Sequence, residues 1–337
     1  METARFDYDL PAAAIAQAAI EPRDDARLLD ARDLRDHRFR DLPGLLDPGD
    51  LVVVNRTRVR PGRLRGTKRD TGGAVEVLLV GHLGGERWRA MVRPARRLRP
   101  GTALRLGTLE AVVVAGPEEG VAVLEIPVPA AVVDEVLREQ GEVPLPPYFT
   151  GDLGDPERYQ TMFADTVGSA AAPTAGLHFT PAVVAALGER EIAFALVDLS
   201  VGLDTFRPIT TAAVEDHRIH REEYAVPEKT AAAVAATRER GGRVVAVGTT
   251  TVRALESAAG EDGALAATAG ETGLYITPGY RFRVVDLMVT NFHFPRSTLL
   301  VMLEAFMGPG WRQAYAAALE RGYRFLSFGD AMLAARA

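Results

Sequence analysis

The chain has 337 residues, of which 47% are hydrophobic and 25% charged, so it can bury a real core, and a predominantly disordered state is excluded. Its formal net charge of -6 excludes a uniformly basic nucleic-acid coat, although a local basic patch is compatible with it. The absence of cysteine excludes disulfides, thiolate nucleophiles, zinc–thiolate sites and iron–sulfur clusters.

Met1 to Asp9 carries Glu2, Asp7 and Asp9 and has no long apolar run, so it does not read as a signal peptide. The longest apolar runs, such as Leu51–Val54 and Ala111–Ala115, are strand-sized, and no membrane span is expected. Pro11–Ala19 reads as a short helix followed by a charged turn at Glu21–Asp24. Leu51–Val54, between Pro48-Gly49-Asp50 and Asn55, reads as a buried strand. From Arg60 to Pro147 short runs at Ala74–Val80, Trp88–Val92, Ala103–Leu106, Leu109–Ala115 and Ala122–Ile126 are punctuated by Gly and Pro, which predicts a small antiparallel barrel or sandwich.

After Pro144–Pro147 the texture alternates. Helices are predicted at Pro181–Arg190, Glu228–Arg240, Thr249–Ala258 and Thr298–Met307, with strands at Ile192–Val197 and Val244–Val247. Such alternation predicts an α/β domain with mostly parallel strands. The expected organisation is a discontinuous α/β domain from 1–60 and 150–337, interrupted by a β-domain at 61–149.

Five constellations could carry chemistry. In Gly168–Thr180 small residues permit close backbone approach, and Thr180-Pro181 starts a helix; the loop could bind a ligand or simply pack tightly around His178. His217 and His220, three apart, could share a helical face as acid–base groups or, with His178 and His293, as metal ligands. No carboxylate follows in the metalloprotease pattern, so a metal is not expected. Val245–Arg253 runs strand, Gly248, three threonine hydroxyls and Arg253, at the strand end where open α/β sheets bind ligands. It lacks the P-loop ending, and capping threonines with a surface arginine are the bland alternative. Thr290–Leu300 gathers Asn291, His293, Arg296 and Ser297, with Phe292 and Phe294 able to wall a flat base, or with Ser297 merely capping a helix. Arg56, Arg58, Arg60, Arg63, Arg65, Lys68 and Arg69, then Arg93, Arg96, Arg97 and Arg99, form a basic run suited to phosphates, or an arginine-rich solvated face.

Read together, these segments resemble the S-adenosylmethionine:tRNA ribosyltransferase-isomerase family of queuosine biosynthesis. The resemblance begins at Phe6-Asp7-Tyr8-Asp9-Leu10-Pro11 and Pro22-Arg23-Asp24 and continues through Val54-Asn55-Arg56-Thr57-Arg58-Val59 and Pro94-Ala95-Arg96-Arg97-Leu98. Glu157-Arg158-Tyr159-Gln160-Thr161 and Ala172–Phe179 follow, then Val247-Gly248-Thr249-Thr250, Val252–Glu256, Pro278-Gly279-Tyr280 and Thr290–His293. Arg324-Phe325 and Gly329–Met332 close it.

The resemblance implies an α/β barrel-like domain with an inserted small antiparallel β-barrel. It also implies S-adenosylmethionine as ribosyl donor, and as acceptor a tRNA with 7-aminomethyl-7-deazaguanine at the wobble position, giving epoxyqueuosine, adenine and methionine. The sulfonium acidifies the C5′ protons and makes methionine a leaving group, so the reaction needs a base, a proton donor and excluded water. His178, His217 and His220 are then candidate acids or bases. Thr174, Gly176, Thr249, Thr250, Arg253, Asn291 and His293 would bind the donor or shape the base pocket. Arg56, Arg58, Arg96, Arg97 and Arg296 would meet tRNA. The chain is expected to act as a cytoplasmic monomer. Two departures stand out: Asp204 where the family usually has Gly, and Arg221 where it usually has Ser; Thr251 replaces a common Ser and keeps the hydroxyl. They leave open a paralogue with another acceptor, such as a free deazapurine. Further alternatives are a non-catalytic tRNA-binding protein and a histidine-based metallohydrolase.

Overall fold

The computed structural model describes residues 1–118, 120–151, 153–202 and 208–337, and Asp204 lies outside them. The chain forms two compact units: Met1–Arg58 with Pro146–Thr166 and Ala172–Ala337, and Val59–Leu145 with Val167–Ala171.

In chain order the strands are β1 (Arg27–Asp30), β2 (Arg35–Arg38), β3 (Leu51–Asn55), β4 (Thr57–Val59), β5 (Arg63–Lys68), β6 (Ala74–Gly84), β7 (Arg87–Arg93), β8 (Ala103–Leu106), β9 (Leu109–Glu118) and β10 (Val121–Glu125). They continue with β11 (Thr166–Ser169), β12 (Ala193–Leu199), β13 (Glu222–Val226), β14 (Val244–Val247), β15 (Thr268–Thr272), β16 (Leu287–Asn291) and β17 (Ala331–Ala335). The helices are α1 (Leu42–Leu45), α2 (Ala130–Gln140), α3 (Pro181–Glu189), α4 (Glu228–Glu239), α5 (Thr249–Ala258), α6 (Thr298–Met307) and α7 (Trp311–Glu320).

The larger unit is built on a nine-stranded sheet of order β15-β13-β12-β3-β14-β16-β17-β1-β2. Its centre, β12-β3-β14-β16, is parallel, with Val53 beside Ala195 and Ala246. Every residue of β3, β14 and β16 is buried, as continuous apolar runs in a parallel sheet covered on both faces should be. On one face Phe179, Val183 and Leu187 pack with Val52, Val54, Val245 and Val289. On the other α5 lies against β12, β14 and β3.

Mostly parallel strands do not extend to the flanks. β17 runs antiparallel to β16, β13 to β12, β15 to β13 and β2 to β1, because local reversals and the returning C-terminal strand complete the sheet. The expected helix at Pro11–Ala19 is a single 3-10 turn at Ala12–Ala14. The backbone beyond it bonds to Phe325 instead, through Phe325 N–H to Ala14 O (2.8 Å) and Ala16 N–H to Phe325 O (3.2 Å), so tertiary pairing overrides alanine's helical preference.

The smaller unit is a closed antiparallel barrel of β5 to β10. Its alternating inward residues Leu64, Val77, Trp88, Ala90, Leu104, Val113 and Leu124 fill the interior. Helix α2 adds Val133, Val136 and Leu137 to the same core, one stripe at i, i+3 and i+4 that sequence reading passed over.

Candidate active site

Parallel strands share a carboxyl end, and at that end of β3, β14 and β16 the chain turns into Asn55, Gly248 and Asn291. Gly248 opens α5 with φ +86°, a conformation open to glycine at little cost, which aims the three threonines that follow. Asn55 sits beneath them, its amide donating to Leu199 O (2.9 Å) and Thr250 Oγ1 (3.3 Å). Thr251 Oγ1 donates back to Val247 O (2.7 Å), so this hydroxyl serves the helix start and not a ligand.

A cavity of about 640 Å³, counting its solvent-open mouth, lies at this end of the sheet. The His178 loop contributes Ala172, Pro173, Thr174 and Ala175, and the threonine turn Gly248, Thr249 and Thr250. From the third segment come Thr290 to Phe294 and Ser297. Val201, Leu299, Leu326, Tyr148 and Ser327 complete it. Among the described residues every polar side chain on this lining carries a hydroxyl, an amide or an imidazole, and no Lys, Arg, Asp or Glu takes part. Tyr148 and Phe294 present near-parallel rings 6.3 Å apart, and Tyr148 Oη bonds to Ser327 Oγ.

Asn291 connects the first and third segments. Its Oδ1 accepts from Thr174 Oγ1 (2.9 Å), and its Nδ2 donates to Asp330 O (3.4 Å) and His178 Nε2 (3.2 Å). A carbonyl can only accept, so Asp330 O fixes which way the amide points. His178 Nε2 is therefore an acceptor, and the proton of the neutral ring sits on Nδ1. Burial first, with Arg324 and Arg23 adding to it against Asp330, lowers the His178 pKa to about 4. Burial alone lowers that of His293 to about 3, so both rings are neutral at physiological pH. His293 Nε2 bonds to Thr290 Oγ1 (2.9 Å). Its backbone is clamped by Tyr8 Oη on the carbonyl and by its own N–H donating to Tyr315 Oη (2.8 Å).

The structure thus brings together Thr174, Thr249, Thr250, Asn291 and His293, with His178 one hydrogen bond behind the wall. Others are placed elsewhere. Gly176 is a packing residue: a Cβ there would come within 3.1 Å of the Thr161 methyl. Arg253 is not on the lining; it is buried, ion-paired with Glu222, and its Nε donates to Leu274 O (3.1 Å). Glu222 in turn accepts from Gly202 N–H (2.7 Å), so the pair braces the segment carrying Val201. Half-buried His217 meets the Tyr275 ring edge-on at 5.9 Å, and His220 is exposed; neither lines the cavity. The four-histidine grouping does not form, and among the described residues no cluster of three or more His, Asp or Glu is placed to hold a metal. Arg221 is exposed and paired with Glu271 (3.1 Å).

Among the arginines, Arg56 makes two 3.0 Å bonds to Asp198, and Arg58 pairs with Glu157, so both are engaged within the larger unit. Arg96 and Arg97 are exposed on the barrel unit, and exposed Arg296 has φ +55°; among the described residues no carboxylate pairs with any of the three. Sequence reading passed over Tyr8, Tyr148, Tyr315 and Ser327. Tyr8 lies within Phe6–Pro11, where the family resemblance begins, yet nothing local marks it as a partner of residue 293. Among the described residues no helix is long and apolar enough to cross a membrane.

A family model described as "Queuosine biosynthesis protein" matches residues 3–334. An Anaeromyxobacter protein named S-adenosylmethionine:tRNA ribosyltransferase-isomerase is 51% identical, with 100% of both chains covered. A Heliobacterium modesticaldum protein of the same name is 49% identical, with 99% of each covered. The crystal structure of S-adenosylmethionine tRNA ribosyltransferase from Thermotoga maritima shares 37% identity and a TM-score of 0.55, over 98% of this chain and 99% of that one. Matched from end to end by a family model and by relatives near half identity, the chain belongs to the queuosine biosynthesis protein family.

Proposed function

We propose that the chain is an S-adenosylmethionine:tRNA ribosyltransferase-isomerase. It moves the ribosyl part of the donor onto the aminomethyl group of a 7-deazaguanine at the wobble position of tRNA and releases adenine and methionine. The observation that carries this reading is the shared cavity: the His178 loop, the three-threonine turn and the Asn291–His293 segment, far apart in the chain, line one chamber.

The chemistry asks for four things, and the lining offers each. Flat bases need apolar and aromatic walls, which Tyr148, Phe292 and Phe294 supply. Ribose hydroxyls need neutral partners, which Thr174, Thr249, Thr250 and Asn291 supply. Removal of a C5′ proton needs an uncharged base at neutral pH; His293 on the wall and His178 behind it are both neutral imidazoles. A recessed chamber limits the approach of water, which would otherwise intercept a ring-opened intermediate. Arg253 acts by bracing the Val201 segment. Arg96 and Arg97 on the barrel, and Arg296 on the larger unit, contribute phosphate contacts. The protein works as a cytoplasmic monomer.

Mass spectrometry of tRNA carrying the aminomethyl-deazaguanine, after incubation with enzyme and donor, tests this. The expected result is an added epoxycyclopentanediol-type mass, with adenine and methionine released in equal amounts. Methylated tRNA with S-adenosylhomocysteine, or modification of the free base but not of tRNA, refutes it.

A further inference from the structure

Three segments singled out in the sequence have no role in the cavity described above: Pro22-Arg23-Asp24, Glu157-Arg158-Tyr159 and Arg324-Phe325. Each delivers one arginine to the same place. A second, smaller cavity within the larger unit, about 280 Å³ counting its solvent-open mouth, is lined by Arg23, Arg158 and Arg324, with His178 and Ser327 on its wall. Ser327 lines both cavities, and Asn291 of the first is 3.2 Å from His178 of the second.

The carboxylates near this cavity stand off its lining, among the described residues. Arg158 is paired with Glu21, and Arg324 lies 3.5 Å from Asp330. The Asp330 oxygens are already occupied by the backbone N–H groups of Arg27 (2.9 Å) and Arg324 (2.8 Å). Among the described residues the hydrogen-bond partners of Arg23 are all backbone carbonyl oxygens: Gln160 (2.8 Å), Glu157 (3.3 Å) and Arg158 (3.5 Å). The Glu157 carboxylate is taken by Arg58. Glu21, Asp155 and Glu157 lie near Arg23 but off the lining; on the lining itself three guanidiniums stand around a neutral imidazole and, among the described residues, no carboxylate. Among the described residues the neighbouring main cavity has no charged group on its lining, while both substrates of the proposed reaction carry anions.

We propose that this smaller cavity is the anion subsite of the reaction centre, taking an oxyanion of a substrate whose uncharged parts occupy the main cavity. The shared chemistry is a carboxylate or phosphate held by guanidinium donors. Its source is either the methionine carboxylate of the donor or a backbone phosphate beside the acceptor nucleotide. The proposal rests on the ribosyltransferase reading.

The test is calorimetric binding by the full chain and by Arg158→Gln and Arg324→Gln variants. The ligands are S-adenosylmethionine, its decarboxylated analogue, and an anticodon stem–loop carrying the aminomethyl-deazaguanine. Loss of a charge-assisted bond weakens binding about tenfold or more. If the carboxylate is the occupant, Kd for S-adenosylmethionine rises by that factor in the variants, while the analogue binds wild type and variants alike. If a phosphate is the occupant, stem–loop affinity falls instead and its log–log salt slope shrinks by about 0.7. Folded variants that bind donor and stem–loop within twofold of wild type overturn the proposal. Should a variant fail to fold, wild-type protein decides: the subsite stands if the donor outbinds its decarboxylated analogue or if inorganic phosphate competes with stem–loop. Equal affinity for donor and analogue, with no phosphate competition, overturns it. Wild type that binds neither donor nor stem–loop refutes the ribosyltransferase reading itself; wild type that binds both while the variants are unaffected refutes the subsite alone.

Discussion

Asn291→Ala is the most informative single substitution, because one amide holds three groups from two segments distant in sequence. Its removal leaves Thr174 Oγ1, His178 Nε2 and Asp330 O without the partners now at 2.9, 3.2 and 3.4 Å. A buried polar group left unsatisfied costs about 1–3 kcal/mol. Two of the three bonds are long, and Thr174 can rotate toward the cavity, so the sum belongs at the low end, about 3 kcal/mol. At about 2–4 °C per kcal/mol for a unit of this size, Tm should fall by about 6–12 °C. Activity should fall further than stability. With Thr174 and His178 both unoriented, the kcat for adenine release should drop by about 100-fold, the scale of a misplaced catalytic group. Asn291→Asp separates the effects: it keeps the Thr174 bond, sets a carboxylate against His178 Nε2, and should raise the imidazole pKa above its present value of about 4. Calorimetry and single-turnover adenine release at saturating substrates read both. An Asn291→Ala enzyme with kcat within threefold of wild type would refute the idea that this amide organises the chamber.

Acid should destabilise the protein through its buried imidazoles. The folded pKa values of His178 (about 4) and His293 (about 3) lie below the unfolded 6.5, so the unfolded chain binds more protons and stability falls as pH drops below 6.5. By pH 5 the loss from the two together is about 4 kcal/mol relative to pH 8, and urea midpoints across that window should follow it; a flat profile contradicts neutral burial of both rings. Glu256→Ala should lower Tm by about 10 °C, since the carboxylate accepts the N–H groups of Arg283 (2.9 Å), Val284 (2.9 Å) and Val285 (3.0 Å), and each orphan costs about 1–3 kcal/mol. Arg96→Ala with Arg97→Ala should weaken tRNA binding several-fold and reduce its salt slope, without moving Tm. Arg56→Ala should do the reverse, costing about 1–2 kcal/mol of stability through Asp198 and leaving the salt slope intact. Filter binding at two salt concentrations distinguishes the pairs.

Local pattern determined the elements with a period of their own. The unbroken apolar runs of β3 and β14, the alternating runs of the barrel, and α5 and α6 with their glycine and serine starts were all readable, because burial on both faces, burial on one face and capping each leave a local mark. The segments that make the chamber were also legible as motifs, since small residues, hydroxyls and imidazoles cluster where backbone must meet a ligand. The role of each residue within them was not. Arg253 and Thr251 stand in the same nine-residue run as Thr249 and Thr250, yet helical rotation turns Arg253 to Glu222 and Thr251 to its own backbone. Arg56 and Arg58 read as phosphate ligands until Asp198 and Glu157, more than ninety residues away, are placed beside them. Charge pairing, the side of a wall on which His178 falls, and the meeting of Arg23, Arg158 and Arg324 are long-range outcomes of the sheet order. Hydrogen bonds and ion pairs act over a few ångströms in space and have no reach along the chain, so only the tertiary structure decided them.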